Sequence, residues 1–302
     1  MYNYLIFITV IFGFSLGEGS LTYRNIDYGD YLAITYGNKQ GEIDWDNSGN
    51  NLAFVWSNNN VKKVFRLNLN RLSITSAGNG FYSADYLNEV ISNKKVYIPV
   101  FSSEDTSFSD PKWNKKGSKI LSIGKFETKN EIFIANKTST IITGTKIKDV
   151  EAAHWKNDTT FYVVYRNNPN QLFETTLMGG HKKLIIETQF PIIGISKQNK
   201  TILLTSKGGV SEFSIKAQSL IWFRIPIKGK TVWRLGRLNF VGLNKNGNAQ
   251  ILDLNNASTH PFCFGDNNGT PAISGDRKFV AFYSDSFKGI IVKRIDKKFL
   301  VE

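Results

Sequence analysis

Cysteine is nearly absent: Cys263 stands alone in 302 residues, so no intramolecular disulfide can form and the fold must rest on its core. A small disulfide-built scaffold is thereby excluded. The lone thiol is expected to be buried and inert. Histidine is almost as scarce, with only His154, His181 and His260, and no Cys/His cluster has zinc spacing. Acidic residues fall short of basic ones, 25 against 38, leaving a net charge of +13, enough for long-range attraction to acidic surfaces if the charge is concentrated. The apolar run from Leu5 to Phe14 is too short for the roughly 20 residues that span a bilayer. It fits the centre of a signal peptide, with Ser15 and Gly17 placing cleavage before Glu18. Residues 1–17 are therefore expected to be a signal peptide. The protein is expected to be secreted, or periplasmic in a bacterium, with no transmembrane segment after cleavage. No Lys or Arg precedes the apolar run, so an uncleaved anchor or a buried first strand is the competing reading.

What the chain does have is apolar content, 41%, with 13% aromatic residues, which excludes disorder. It also repeats. An apolar or Trp position, a polar turn, an apolar strand, a second turn and another strand recur along the sequence. Ile43-Asp44-Trp45-Asp46-Asn47-Ser48-Gly49 leads into Leu52-Ala53-Phe54-Val55-Trp56, and Pro111-Lys112-Trp113-Asn114-Lys115-Lys116-Gly117 leads into Ile120-Leu121-Ser122. Further units begin at Trp155, Ile195, Trp233 and Ile273, and the later anchors are spaced about forty residues apart. No 3.6-residue apolar period is long enough for a core helix. The units read as four-stranded blades, whose radial packing solves the edge problem of a lone small sheet. The expected fold is all-β: a β-propeller of six four-stranded blades in a single domain, residues 18–302. An N-terminal strand, Tyr31 to Tyr36, closes the ring by pairing with the C-terminal blade. The long first spacing leaves about 72–110 as an insertion, read as a loop between blades rather than a degenerate seventh blade.

The units resemble the repeat of TolB-type propellers, the WD40-like or PD40 repeat, in which Pro-x-Trp-Ser-Pro-Asp-Gly leads into Ile-Ala-Phe-x-Ser. Pro111 to Gly117 and Asp44 to Phe54 are the nearest copies, Phe279 to Ser284 repeats the strand, and the Ser-Pro-Asp is nowhere intact. The pattern covers about 31–294. It is similar, more distantly, to the propeller of dipeptidyl-peptidase-IV and prolyl-oligopeptidase proteins. The repeats leave no length for their α/β-hydrolase domain, or for the N-terminal domain of TolB, so the resemblance implies a bare propeller. It speaks for the fold alone.

Signatures of catalysis are missing. Gly194-Ile195-Ser196-Lys197-Gln198 and Gly208-Gly209-Val210-Ser211-Glu212 both fail as a nucleophile elbow. Asp44-Trp45-Asp46-Asn47-Ser48-Gly49 resembles half a calcium loop, but Val55 stands where a bidentate Glu is needed, so an Asx-rich turn is expected. Five Asn-x-Ser/Thr sequons are about what chance yields. The recurrence of Trp45, Trp113, Trp155 and Trp233 reads as core between blades rather than as sugar-stacking platforms.

The expected function is a secreted, non-enzymatic binding module, a monomer without metal or cofactor that takes a protein or peptide on one rim or at the channel mouth. The insertion is the first candidate for a specificity loop. Nucleic acid is not expected, because the basic residues are scattered and no recognition motif occurs. Candidate contact residues are His154, placed just before Trp155 on an inner strand, and Lys230, Arg234 and Arg237, which lie close together in sequence. The competing reading is a propeller enzyme acting on a carbohydrate or small metabolite through channel carboxylates or His154.

Overall fold

The structure is a computed structural model that describes residues 31–35, 40–58, 61–69, 81–82, 97–137, 142–198, 200–226, 228–262, 268–285 and 289–300. The expected signal segment and Cys263 lie outside these residues.

Short polar side chains build the recurring turns. Asp46 accepts hydrogen bonds from the backbone N–H groups of Asn50 (2.9 Å) and Asn51 (3.0 Å), from the Ser48 hydroxyl and from the Asn51 amide (2.7 Å each). Gly49 completes that turn at a φ of 71°, which a Cβ disfavours. Asn114 does the same for the N–H groups of Ser118 and Lys119 (2.9 Å each), with Gly117 at 64°. The calcium-like stretch is thus an Asx turn whose Asp46 oxygens are engaged by the turn itself.

The strands between these turns pair into six antiparallel sheets. The first blade comprises Gln40–Trp45, Asn51–Asn58, Val61–Asn68 and Tyr97–Phe101. The second runs through Ser107–Trp113, Lys119–Phe126, Lys129–Asn136 and Ile142–Lys148, and the third through Val150–Trp155, Thr160–Tyr165, Asn168–Thr176 and Lys182–Glu187. The fourth is Ile192–Gln198, Thr201–Ser206, Gly209–Ser214 and Ser219–Phe223; the fifth is Lys228–Arg234, Asn239–Leu243, Ala249–Asp253 and Ser258–Pro261. The sixth joins Ala272–Ile273, Phe279–Ser284 and Gly289–Arg294 to Tyr31–Thr35. That N-terminal strand pairs antiparallel, Tyr31 opposite Lys293 and Thr35 opposite Gly289, and so closes the ring as expected. Phe81–Tyr82 adds a short parallel fifth strand outside it.

The stretch expected as an insertion is therefore not loop throughout. Tyr97–Phe101 is the outer strand of the first blade and Ser107–Asp110 belongs to the inner strand of the second. A specificity loop would have to lie within 70–96, of which only Phe81–Tyr82 is among the described residues.

The core lies between blades. The second strands are buried nearly end to end, as in Asn239–Leu243 and Phe279–Ser284, because each sheet has a neighbour on both faces. One apolar cluster joins Trp155 and Phe161 of the third blade to Leu121 and Ile134 of the second, and another joins Trp113 and Phe108 to Val64 and Phe101. The four anchor Trp are buried. Two of them also lock blades together: the Trp155 indole N–H donates to the Lys112 carbonyl (2.9 Å), and that of Trp233 to the Pro271 carbonyl (2.8 Å). Among the described residues no helix is long and apolar enough to cross a membrane.

Candidate functional site at the channel mouth

The inner strands stand around a central channel, and their C-terminal ends and adjoining turns form a mouth of about 200 Å³ to which all six blades contribute. Polar latches between neighbouring blades set its rim. Asp44 accepts the Trp113 backbone N–H (2.7 Å), Asn114 donates its amide to Asp158 (2.8 Å), and the Lys197 ammonium donates to the Lys156 carbonyl (2.7 Å). The Gln198 side chain both donates to the carbonyl and accepts from the N–H of Arg234 (3.0 Å each), and the Arg277 guanidinium donates to the Leu235 carbonyl (3.1 Å). The wall is thus preorganised.

Beneath the mouth lies a buried charge cluster. The inner strand of the second blade bulges between Ser109 and Lys112, with Asp110 at a φ of 51°; a bulge of this kind re-aims the side chains around it. Lys112 is wholly buried and its ammonium lies 2.8 Å from Asp110, an ion pair by distance rather than an aligned hydrogen bond. Burial pulls the Lys112 pKa down, but Asp110, Asp44 and Glu42 outweigh it and hold the amine above its ordinary value. Asp44 is pushed up to about 7 by burial, against the pull of Lys112 and the Trp113 hydrogen bond. His154 is pushed down to about 3 by burial and then by Lys112. Its Nδ1 lies 3.1 Å from the Trp155 carbonyl, which can only accept, so Nδ1 carries the proton and Nε2 is a bare acceptor.

Of the expected contact residues, His154 lines the mouth. Arg234 and Arg237 line an adjoining groove of about 720 Å³ together with Lys115, Lys200, Glu212 and Arg277. Arg234 is held through Nη1, which donates to both carboxylate oxygens of Glu212, and through Nη2, which donates to the Arg237 carbonyl. Lys230 lines neither the mouth nor the groove. Its ammonium lies 3.7 Å from Glu151 of the third blade, reached from the fifth blade past Gly194, where any Cβ would sit 1.6 Å from the Lys230 carbonyl oxygen. In the fourth blade the mouth is walled by Lys197 and Gln198, two and three residues beyond the expected anchor Ile195, which is core.

Sequence reasoning missed Asp44 and Lys112. The signal was present, because each occupies the place before an anchor Trp that singled out His154. The mouth is also rich in cations: Lys115, Lys156, Lys197 and Arg277 line it. The Lys197 pKa is lowered by burial and then by the Lys115 and Lys156 charges. Lys156 is neutralised by Glu174 at 2.6 Å. Among the described residues, no group of three or more His, Cys, Asp and Glu could hold a metal ion.

No protein-family model matches the sequence, and no curated protein matches it in sequence. Solved structures do match in shape. An oligogalacturonate lyase in complex with manganese superposes with a TM-score of 0.51 at 10% identity, over 94% of this chain and 98% of that one. A TolB candidate from Agrobacterium tumefaciens gives 0.51 at 12% identity, over 86% and 91%. A chain of the nidogen/laminin complex gives 0.54 at 10% identity, over 78% and 89%. At such identities the likeness shows the β-propeller fold alone.

Proposed function

We propose that this six-bladed β-propeller is a non-enzymatic binding module that takes an acidic segment of a protein or peptide at the channel mouth and its adjoining groove. The observation that carries the reading is the charge of that face. Lys115, Lys197, Lys200, Arg237 and Arg277 converge there, while the acids lining it are Asp44, buried beneath, and Glu212, engaged by Arg234. Such a field steers an anionic ligand and is strengthened by the low-dielectric walls. A peptide fits better than nucleic acid, because the mouth's four Trp are buried, each less than a tenth exposed, and offer little ring surface for bases to stack on.

The test is fluorescence anisotropy with a labelled oligo-glutamate peptide against the intact protein and the Lys115→Glu/Arg237→Glu double variant. The expected result is saturable binding that weakens with added salt and at least about tenfold in the double variant. Absence of binding, unchanged affinity in the variant, or tighter capture of an oligonucleotide would overturn the reading.

One observation favours a propeller enzyme acting on a carbohydrate or small metabolite: Asp44, with a pKa near neutrality, lines the same cavity as His154, and a carboxyl so tuned suits proton transfer. Against it, the neutral His154 imidazole is a weak base. Turnover of a sugar substrate that Asp44→Asn abolishes would replace the binding reading.

A further inference from the structure

The outer strands of a propeller expose backbone N–H and C=O groups that can recruit a further strand, and proteins blunt such edges with charge, proline, bulges or brevity. Five of the six blades do so. The first blade's edge contains Pro99 and a register shift; the second carries exposed Lys146 and Lys148 and a shift. The third carries Lys182, Lys183 and Glu187 and a shift, the fifth is four residues long and ends in Pro261, and the sixth ends in the two-residue Phe81–Tyr82.

The fourth blade's edge, Ser219–Phe223, has none of these features. Its register is unbroken from Ser219 opposite Ser214 to Phe223 opposite Val210, and it contains no charge and no proline. It is also apolar outward: Leu220, Ile221 and Trp222 are 36%, 55% and 37% exposed, three consecutive members of the described residues' six exposed large apolar side chains. The strand is nonetheless fixed in place. Trp222 packs on Phe190 (ring centroids 4.8 Å apart) and Phe223 on Phe240 (5.2 Å).

We propose that Ser219–Phe223 is a second docking surface, which accepts an extended segment of a partner polypeptide as an added antiparallel or parallel strand. Charge decides the occupant. Exposed Lys216 lies in the turn before the strand and exposed Arg224 just after it, so a second copy pairing antiparallel, Ser219 opposite Phe223, would bring Lys216 of one copy to the same end as Arg224 of the other, like charge near like. A segment with apolar residues in the middle and acidic residues at both ends complements the same edge. Backbone bonds supply affinity in this mode and alternate side chains supply selectivity.

The probe is a short peptide of alternating Val and Thr with Glu at both ends, measured by anisotropy on the full chain. Binding should fall at least about tenfold, the worth of two or three backbone hydrogen bonds, in Ile221→Lys and when alternate peptide nitrogens are N-methylated. Thermal unfolding of Ile221→Lys should match the parent, because the side chain is more than half exposed. Equal binding by a Lys-ended peptide, by the methylated peptide or to Ile221→Lys overturns the proposal. So does binding lost in Lys115→Glu/Arg237→Glu but kept in Ile221→Lys, which assigns the peptide to the channel mouth, and so does a dimer that Ile221→Lys dissociates. Failure of oligo-glutamate binding at the mouth leaves this edge untouched.

Discussion

Asp44 of the first blade holds the backbone N–H of Trp113 in the second at 2.7 Å while its own carboxyl is pushed up from 3.8 to about 7 by burial. An acid with a higher pKa folded than unfolded binds more protons in the folded state. Stability from this group is therefore full below about pH 4 and is lost as pH rises through about 7. Asp44→Asn keeps an acceptor for Trp113 and removes the ionisation. Urea unfolding between pH 5 and 8 should show the variant gaining on the parent as pH rises, by on the order of 2 kcal/mol. A pH-independent difference would show that Asp44 does not titrate in this range.

Lys112 is the buried cation that compensates Asp110 and Asp44. Lys112→Met leaves those carboxylates unpaired in the channel and should cost about 3–5 kcal/mol at neutral pH. Adding Asp110→Asn should return part of that loss, a non-additivity that a double-mutant cycle reads directly.

Gly194 faces the Lys230 backbone so closely that Gly194→Ala cannot be accommodated unless one inner strand moves. A loss of at least about 2 kcal/mol, or failure to fold, is expected. Gly180→Ala, with no atom within 4 Å of the added carbon, is the neutral control, and thermal unfolding compares the two.

Trp155→Phe keeps most of the ring in the core between the second and third blades and removes the 2.9 Å bond to the Lys112 carbonyl. The expected cost is about 1–3 kcal/mol in urea unfolding, since the carbonyl is left buried without that donor.

The ring, its closure and the role of the anchor Trp were legible because a blade repeats one unit, and repetition makes a pattern visible that no single copy would carry. The strand Tyr97–Phe101 lies inside the stretch read as an insertion and was not assigned to the first blade. A long connection separates it from its partner Val61–Asn68, and periodicity does not tell to which blade a strand beyond such a gap returns. Placement at the mouth was legible where one unit's logic applied, as at His154. It was lost where charges from different units meet: nothing in the chain order links Asp44 to Lys112, and nothing local separates Lys230 from Arg234. Those relations exist only once six turns face one axis.

The pairing of Tyr31–Thr35 with Gly289–Arg294 also sets a schedule. The strand that finishes the sixth blade is synthesised before the other five blades and its partner after them, so those five can form while the seam is open. Contacts between such distant parts of a chain are slow to form. Until the final strand arrives, the early one is a bare edge exposed to the wrong neighbour. Synthesis rate, and whatever shields that edge meanwhile, should therefore govern the yield of closed rings more than the stability of any single blade does.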